Sequence, residues 1–259
     1  MSFKVRVDPK NPGHFFACCG IFELAHRLAG EAEAWFDTGY FVVNAKWSLR
    51  EILETWTAAR VEQLDSDDQF ASPLRFGPPF DLRLDWWKDE DSGGRDLKIW
   101  AGSMQCARIQ RAMMGALRDS RFHEEGVLDI GTVVYDPETE EKAEPFCFDA
   151  RRAPNAHSRD IGFSPNVLKL TTTAFPAVEA LAFVGLQRCR PSAIAGRRRQ
   201  FEYCTWDAPM PIALAAPLVA GSVRSPGTRR FRFDLYFRTD YLKAFRPAVL
   251  IDNGESPNA

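Results

Sequence analysis

Apolar positions along this chain recur at two different periods, and the switches between those periods mark out its elements. Residues 3–7 (FKVRV) alternate as a short strand, and 8–13 (DPKNPG) interrupt it with turn-forming residues. Residues 14–29 then read as a helix. Phe15, Phe16, Cys18, Cys19, Ile21, Phe22, Leu24, Ala25 and Leu28 cover most of its circumference, which predicts a helix central to a core, with Gly30 placed to cap its C-terminus. Two strands are expected at 34–37 and 40–44. Ser48 and Glu51 have the spacing of a capping box and open a helix expected to run to about residue 64, followed by a loop at 65–68. With a further strand at 82–86 and a charged loop at 88–95, the order is β-α-β-β-α-β, a ferredoxin-like unit.

Beyond residue 95 the pattern is mixed. A helix is expected from about Ser103 to Asp119, with Cys106, Ile109, Met113, Ala116 and Leu117 buried and Arg108, Arg111 and Arg118 on the opposite arc. Strands are expected at 127–135 and 146–148. Residues 150–165 form a polar, proline-interrupted loop, and loops of that length are often functional. Pro176 starts another helix, and the remainder reads as β-rich, with strands at 200–206, 212–220 and 230–237. In the last of these, Phe231, Phe233, Leu235 and Phe237 alternate with polar residues. The expected class is therefore α+β, a ferredoxin-like N-terminal half followed by helices and a β-rich C-terminal half. Its division is 1–95, 96–247 and a tail at 248–259.

Composition narrows the function. The N-terminus lacks a signal-peptide core and the longest apolar run, 211–221, is too short for a bilayer, so a cytoplasmic protein without membrane partners is expected. Six cysteines without a C-x-x-C pair fit neither a disulfide framework nor a zinc site. The net charge is −2, but residues 188–246 hold twelve Lys or Arg against four acids, which leaves the front of the chain acidic. A basic back suggests a surface that faces phosphate, unless those arginines are solvated strand faces.

Recognisable catalytic spacings are missing. The four histidines form no H-x-x-x-H or H-E-x-x-H pair, and there is no phosphate loop, dinucleotide fingerprint or nucleophile elbow. No cofactor or metal is expected. Two weak catalytic alternatives remain: a Cys19–His14 pair near a helix N-terminus, and His123 beside Glu124 and Glu125. The basic runs carry more. Arg197, Arg198 and Arg199 leave a glycine turn just before a strand, and consecutive guanidinium groups suit a phosphate backbone. Arg151, Arg152 and Asn155 have the same character, with the Asn suited to a base edge. Lys98, Arg108 and Arg111 would add to that surface.

Three blocks resemble a known family. Residues 11–28 (NPGHFFACCGIFELAHRL), 97–108 (LKIWAGSMQCAR), and 175–191 with 201–206 (FPAVEALAFVGLQRCRP, FEYCTW) are similar to those of a CRISPR-associated subunit of type I-U, or I-G, effector complexes. This is the Csb group, counted among the large subunits of Cascade-type complexes. The resemblance implies a non-catalytic subunit that joins a backbone of RNA-binding subunits around a guide CRISPR RNA and meets target DNA. Its expected roles are recognition of the protospacer-adjacent motif, duplex opening and docking of the helicase-nuclease. Larger members of that class end in a helical bundle, whereas this chain is expected to end in strands, so a separate small subunit would be needed. A stand-alone hydrolase or nuclease and a protein-only adaptor are the other readings left open.

Overall fold

In the computed structural model, residues 1–65, 70–102, 104–152, 173–197, 199–237 and 243–251 are described. The chain runs β1 (Ser2–Arg6), α1 (Pro12–Ala29), β2 (Ala32–Asp37), β3 (Tyr40–Ala45), α2 (Leu49–Ala58), β4 (Val61–Gln63), β5 (Leu74–Phe76) and β6 (Leu82–Leu84). It continues through α3 (Cys106–Ala116), α4 (Pro176–Gly185), β7 (Ser192–Ala193), β8 (Gln200–Thr205), β9 (Met210–Pro211) and α5 (Ile212–Val219). Last come β10 (Arg229–Phe237), β11 (Lys243–Phe245) and β12 (Val249–Ile251). Helices and strands are mixed in an α+β architecture.

α1 forms where the sequence places a helix but starts two residues earlier, at Pro12. Asn11 caps it by accepting from the Gly13 amide at 3.1 Å, Pro12 occupies the first turn, and Gly30 ends it at φ 72° with its amide on the His26 carbonyl. Its apolar circumference is used in full, because α4 crosses it. A Cβ on Gly20 would lie 2.1 Å from the Leu181 carbonyl oxygen, and one on Gly185 would lie 2.0 Å from that of Phe16. The two helix backbones therefore touch, and only glycine fits at both positions. Beside this crossing, the carboxylate of Glu23 is buried yet bound by both Arg27 and Arg188. Burial opposes its ionisation, but those two guanidinium groups hold its pKa below the ordinary value. Apolar residues from both ends of the chain, Val5 through Ala248, form one buried cluster around these helices.

The strands make three antiparallel sheets, ordered β1-β3-β2-β9, β4-β5-β6 and β11-β10-β8-β7, with β12 also paired to β10. β1, β3 and β2 pair as they would in a ferredoxin-like unit. The fourth strand departs from it. Residues 82–84 pair with β5 in a separate small sheet, and β9 from late in the chain occupies the edge beside β2. α2 carries the expected capping box but ends at Ala58, because the chain turns extended at Ala59 (ψ 141°) and residues 61–63 are taken up by pairing with β5.

Three other expectations are corrected. Residues 127–135 hold a short 3-10 turn and two isolated bridges rather than a strand. Residues 146–148 form no strand either, since the amides of Phe148 and Asp149 bond the Glu179 carboxylate and Cys147 takes φ 75°. Residues 212–219 are helical: Ile212, Ala215, Leu218 and Val219 bury one face at helical spacing, a period that a short apolar run conceals. The polar stretch after Arg152 lies outside the described residues, as do residues 252–259 of the expected tail at 248–259, whereas 249–251 are not tail but pair with β10 as β12. Among the described residues, no helix is long and apolar enough to cross a membrane.

Candidate nucleic-acid interface

α3 turns Arg108 and Arg111 outward, as the helical spacing predicts, but both meet acids from residues 136–141. Arg108 bonds Asp136 and the Thr139 hydroxyl (2.7 Å), with Glu141 at 3.5 Å. Asp136 is only 2% exposed and also accepts the amides of Glu138 and Thr139, so it builds the turn that delivers these acids. Burial works against its ionisation, but the Arg108 and backbone hydrogen bonds hold its pKa below the ordinary value. Arg111 donates to the Val61 carbonyl at 3.2 Å and lies 3.7 Å from Glu138. Arg152 pairs with Glu144 at 3.7 Å, and the Lys98 ammonium sits over the Trp100 ring at 5.4 Å.

Arg151 is held harder still. It binds both oxygens of Asp149, donates to the Leu128 carbonyl at 2.7 Å and lies 3.5 Å over the Phe175 ring. Asp149 is fully buried and also accepts from Asn11 Nδ2 at 3.0 Å. Asn11 Oδ1 in turn takes the Ala150 amide, and the buried Glu179 takes the amides of Phe148 and Asp149. Burial, with the nearby Asp149 charge adding to it against the amide hydrogen bonds, raises the Glu179 pKa to about 7. This network ties the start of α1, the start of α4 and residues 147–151 together. Asn11, Asp149 and Glu179 were not singled out from sequence, where residues 8–13 read only as a turn.

The turn before β8 is arranged differently. Its hydrogen bonds run from the Arg197 amide to Ile194 and from the Gln200 amide to Arg197, while Gly196 and Arg199 take φ of 71° and 74°. Left-handed backbone at an arginine is uncommon and is held here by the Leu235 amide on the Arg199 carbonyl at 3.0 Å. Arg197 and Arg199 are exposed, and Arg199 stacks 3.6 Å over the Phe237 ring. Neither is paired with a carboxylate among the described residues. Arg198 and Asn155 lie outside the described residues. Four other basic residues of the C-terminal half are matched by acids: Arg230 and Arg232 share Glu202, Arg190 meets Asp89, and Arg188 meets Glu23.

The catalytic candidates are not brought together. Cys18 and Cys19 are buried, burial pushes both thiols well up, and the neighbour that hydrogen-bonds Cys19 is Cys189. His14 accepts the Asp8 amide at Nδ1 and has Nε2 4.0 Å from Asp149. Burial, with Arg151 next, lowers its pKa. His123 is buried, with Nε2 3.2 Å from the Leu117 carbonyl and Nδ1 3.7 Å from Glu54. Among the described residues no three potential metal ligands cluster. The chain matches no family model, no curated protein and no solved structure.

Proposed function

We propose that this chain is a non-catalytic, nucleic-acid-binding subunit of a type I CRISPR RNA-guided surveillance complex that works in the cytoplasm. It would contribute to recognition of the protospacer-adjacent motif, to duplex opening and to docking of the helicase-nuclease. The observation that carries the binding part of this reading is the turn at 196–199, where Arg197 and Arg199 are exposed without a carboxylate partner among the described residues. The three sequence blocks that resemble type I-U subunits support the assembly part. Those blocks supply α1, α4 and β8, the last of which begins directly after the turn.

The test is co-expression of the chain with a guide RNA and the backbone subunits of such a system, followed by titration of the purified assembly with target DNA at several salt concentrations. Co-purification and affinity that falls steeply with salt are expected. A chain that stays out of the assembly, or that cleaves nucleic acid alone and loses this activity in Cys19→Ala or His123→Ala, overturns the reading. Binding to the assembly without any salt-sensitive nucleic-acid component assigns it as a protein-only adaptor instead.

A further inference from the structure

One end of the C-terminal sheet carries two guanidinium groups laid on aromatic rings. Arg199 covers Phe237 at 3.6 Å, and Arg246 covers Tyr236 at 4.7 Å. Tyr236 and Phe237 are successive residues of β10, so their rings stand on opposite faces of the sheet. Both arginines are fixed by backbone pairing to that strand: the Leu235 amide donates to the Arg199 carbonyl, and the Arg246 amide donates to the Asp234 carbonyl, each at 3.0 Å. Both are exposed, and neither is paired with a carboxylate among the described residues. Arg197 projects from the same turn as Arg199.

A guanidinium plane backed by a ring is held flat at little further entropic cost, and its outer face suits a second flat π-system. Bases in a duplex already stack on their neighbours and leave no face available, whereas an unpaired base does. We propose that this end of the sheet binds single-stranded nucleic acid by stacking unpaired bases on Arg199 and Arg246, while Arg197 contacts the phosphates. This deepens, and rests on, the nucleic-acid-binding reading above.

The full chain is titrated, by fluorescence anisotropy, with a labelled mixed-sequence single strand, the same sequence as a duplex, and an abasic single strand of equal length and charge. The base-bearing strand should bind about tenfold more tightly than the abasic one, as expected for stacking of one or two bases. Arg199→Lys and Arg246→Lys keep the charge and lose the plane, so they should erase that difference while the salt slope and thermal midpoint stay as in the wild type. Equal binding of abasic and base-bearing strands overturns the stacking inference and leaves the binding reading standing. So do lysine variants that bind like the wild type, or that shift the melting point without changing binding. If none of the three nucleic acids binds in a salt-dependent way, both the inference and the reading beneath it fall.

Discussion

Two regions of this molecule look alike in sequence and differ in what surrounds them. Arg108, Arg111, Arg151 and Arg152 all lie beside or opposite acids that arrive from 136–149, and their guanidinium groups are drawn inward onto those acids or onto backbone carbonyls. Arg197 and Arg199, on a tight turn with two left-handed residues, have no such acids brought to them among the described residues. A basic run is therefore a poor guide to a basic surface. Whether an arginine is available to phosphate depends on which carboxylates the fold carries to it, and in the first region these are 2 to 33 residues away in sequence.

The contrast breaks most sharply at Arg151. If the first region is structural, Arg151→Ala leaves the fully buried Asp149 carboxylate only the Asn11 side-chain amide and the backbone amide of residue 151, and should lower stability by about 3 kcal/mol, read as a shift in the urea midpoint. A variant as stable as the wild type but weaker in nucleic-acid binding would move Arg151 into the second class.

The same network should give the protein a pH signature. Glu179 has a folded pKa raised to about 7 from an ordinary 4.5, so the folded state holds its proton where the unfolded state has lost it. Its contribution is fully present below about pH 4.5 and is lost as pH rises through about 7, on the order of 3 kcal/mol across that window. His14 acts oppositely: its lowered pKa favours the neutral ring, so its contribution is present above about 6.5 and lost on acidification. Urea midpoints measured between pH 4.5 and 8 should show the fall with rising pH steepen in a His14→Asn variant. They should lose it in Glu179→Gln. A Glu179→Gln variant with the wild-type profile would show that the carboxyl does not titrate in that window.

A smaller effect is expected at Arg108. Asp136 keeps the amides of Glu138 and Thr139 when the guanidinium is removed, so Arg108→Ala should lower the urea midpoint by less than Arg151→Ala does and leave the salt slope of nucleic-acid binding unchanged. A flatter slope in that variant would show that α3 contacts phosphate despite its acids.

Much of the frame was legible where local signals agree with tertiary need. The Gly30 end of α1, the Ser48–Glu51 box and the alternation of β10 are each complete within a few residues of sequence. The losses occur where a partner distant in sequence decides. Residues 61–63 leave the α2 pattern because β5 is there to pair, and 146–148 give up a strand because the Glu179 carboxylate takes the amides of Phe148 and Asp149. Residues 212–219 were misread for a different reason: an apolar run of eight fits a strand or a helix equally, and burial of every third or fourth residue settles it only in three dimensions. The candidate site divided in the same way. The glycine and the arginines of the turn were visible, whereas Asp136 and Asp149, which neutralise Arg108 and Arg151, gave no signal that they would be carried there.

The smallest effect on stability belongs to the residue expected to matter most for binding. Arg197 is exposed and makes no hydrogen bond or ion pair through its side chain among the described residues, so Arg197→Ala should leave the urea midpoint within about 0.5 kcal/mol of the wild type. Its guanidinium would release about one counterion on meeting a phosphate. The slope of log K against log salt should then flatten by about 0.9 for a duplex and about 0.7 for a single strand, with affinity reduced equally across sequences. The matched control is Arg60→Ala, which removes another exposed arginine, one facing Glu62 at 3.4 Å, and should change neither quantity. An Arg197→Ala variant that keeps the wild-type slope while Arg60→Ala flattens it would reverse the assignment of the two kinds of arginine. The exposed turn would then be an ordinary solvated loop, and the phosphate-binding face would have to be sought where acids now cover it.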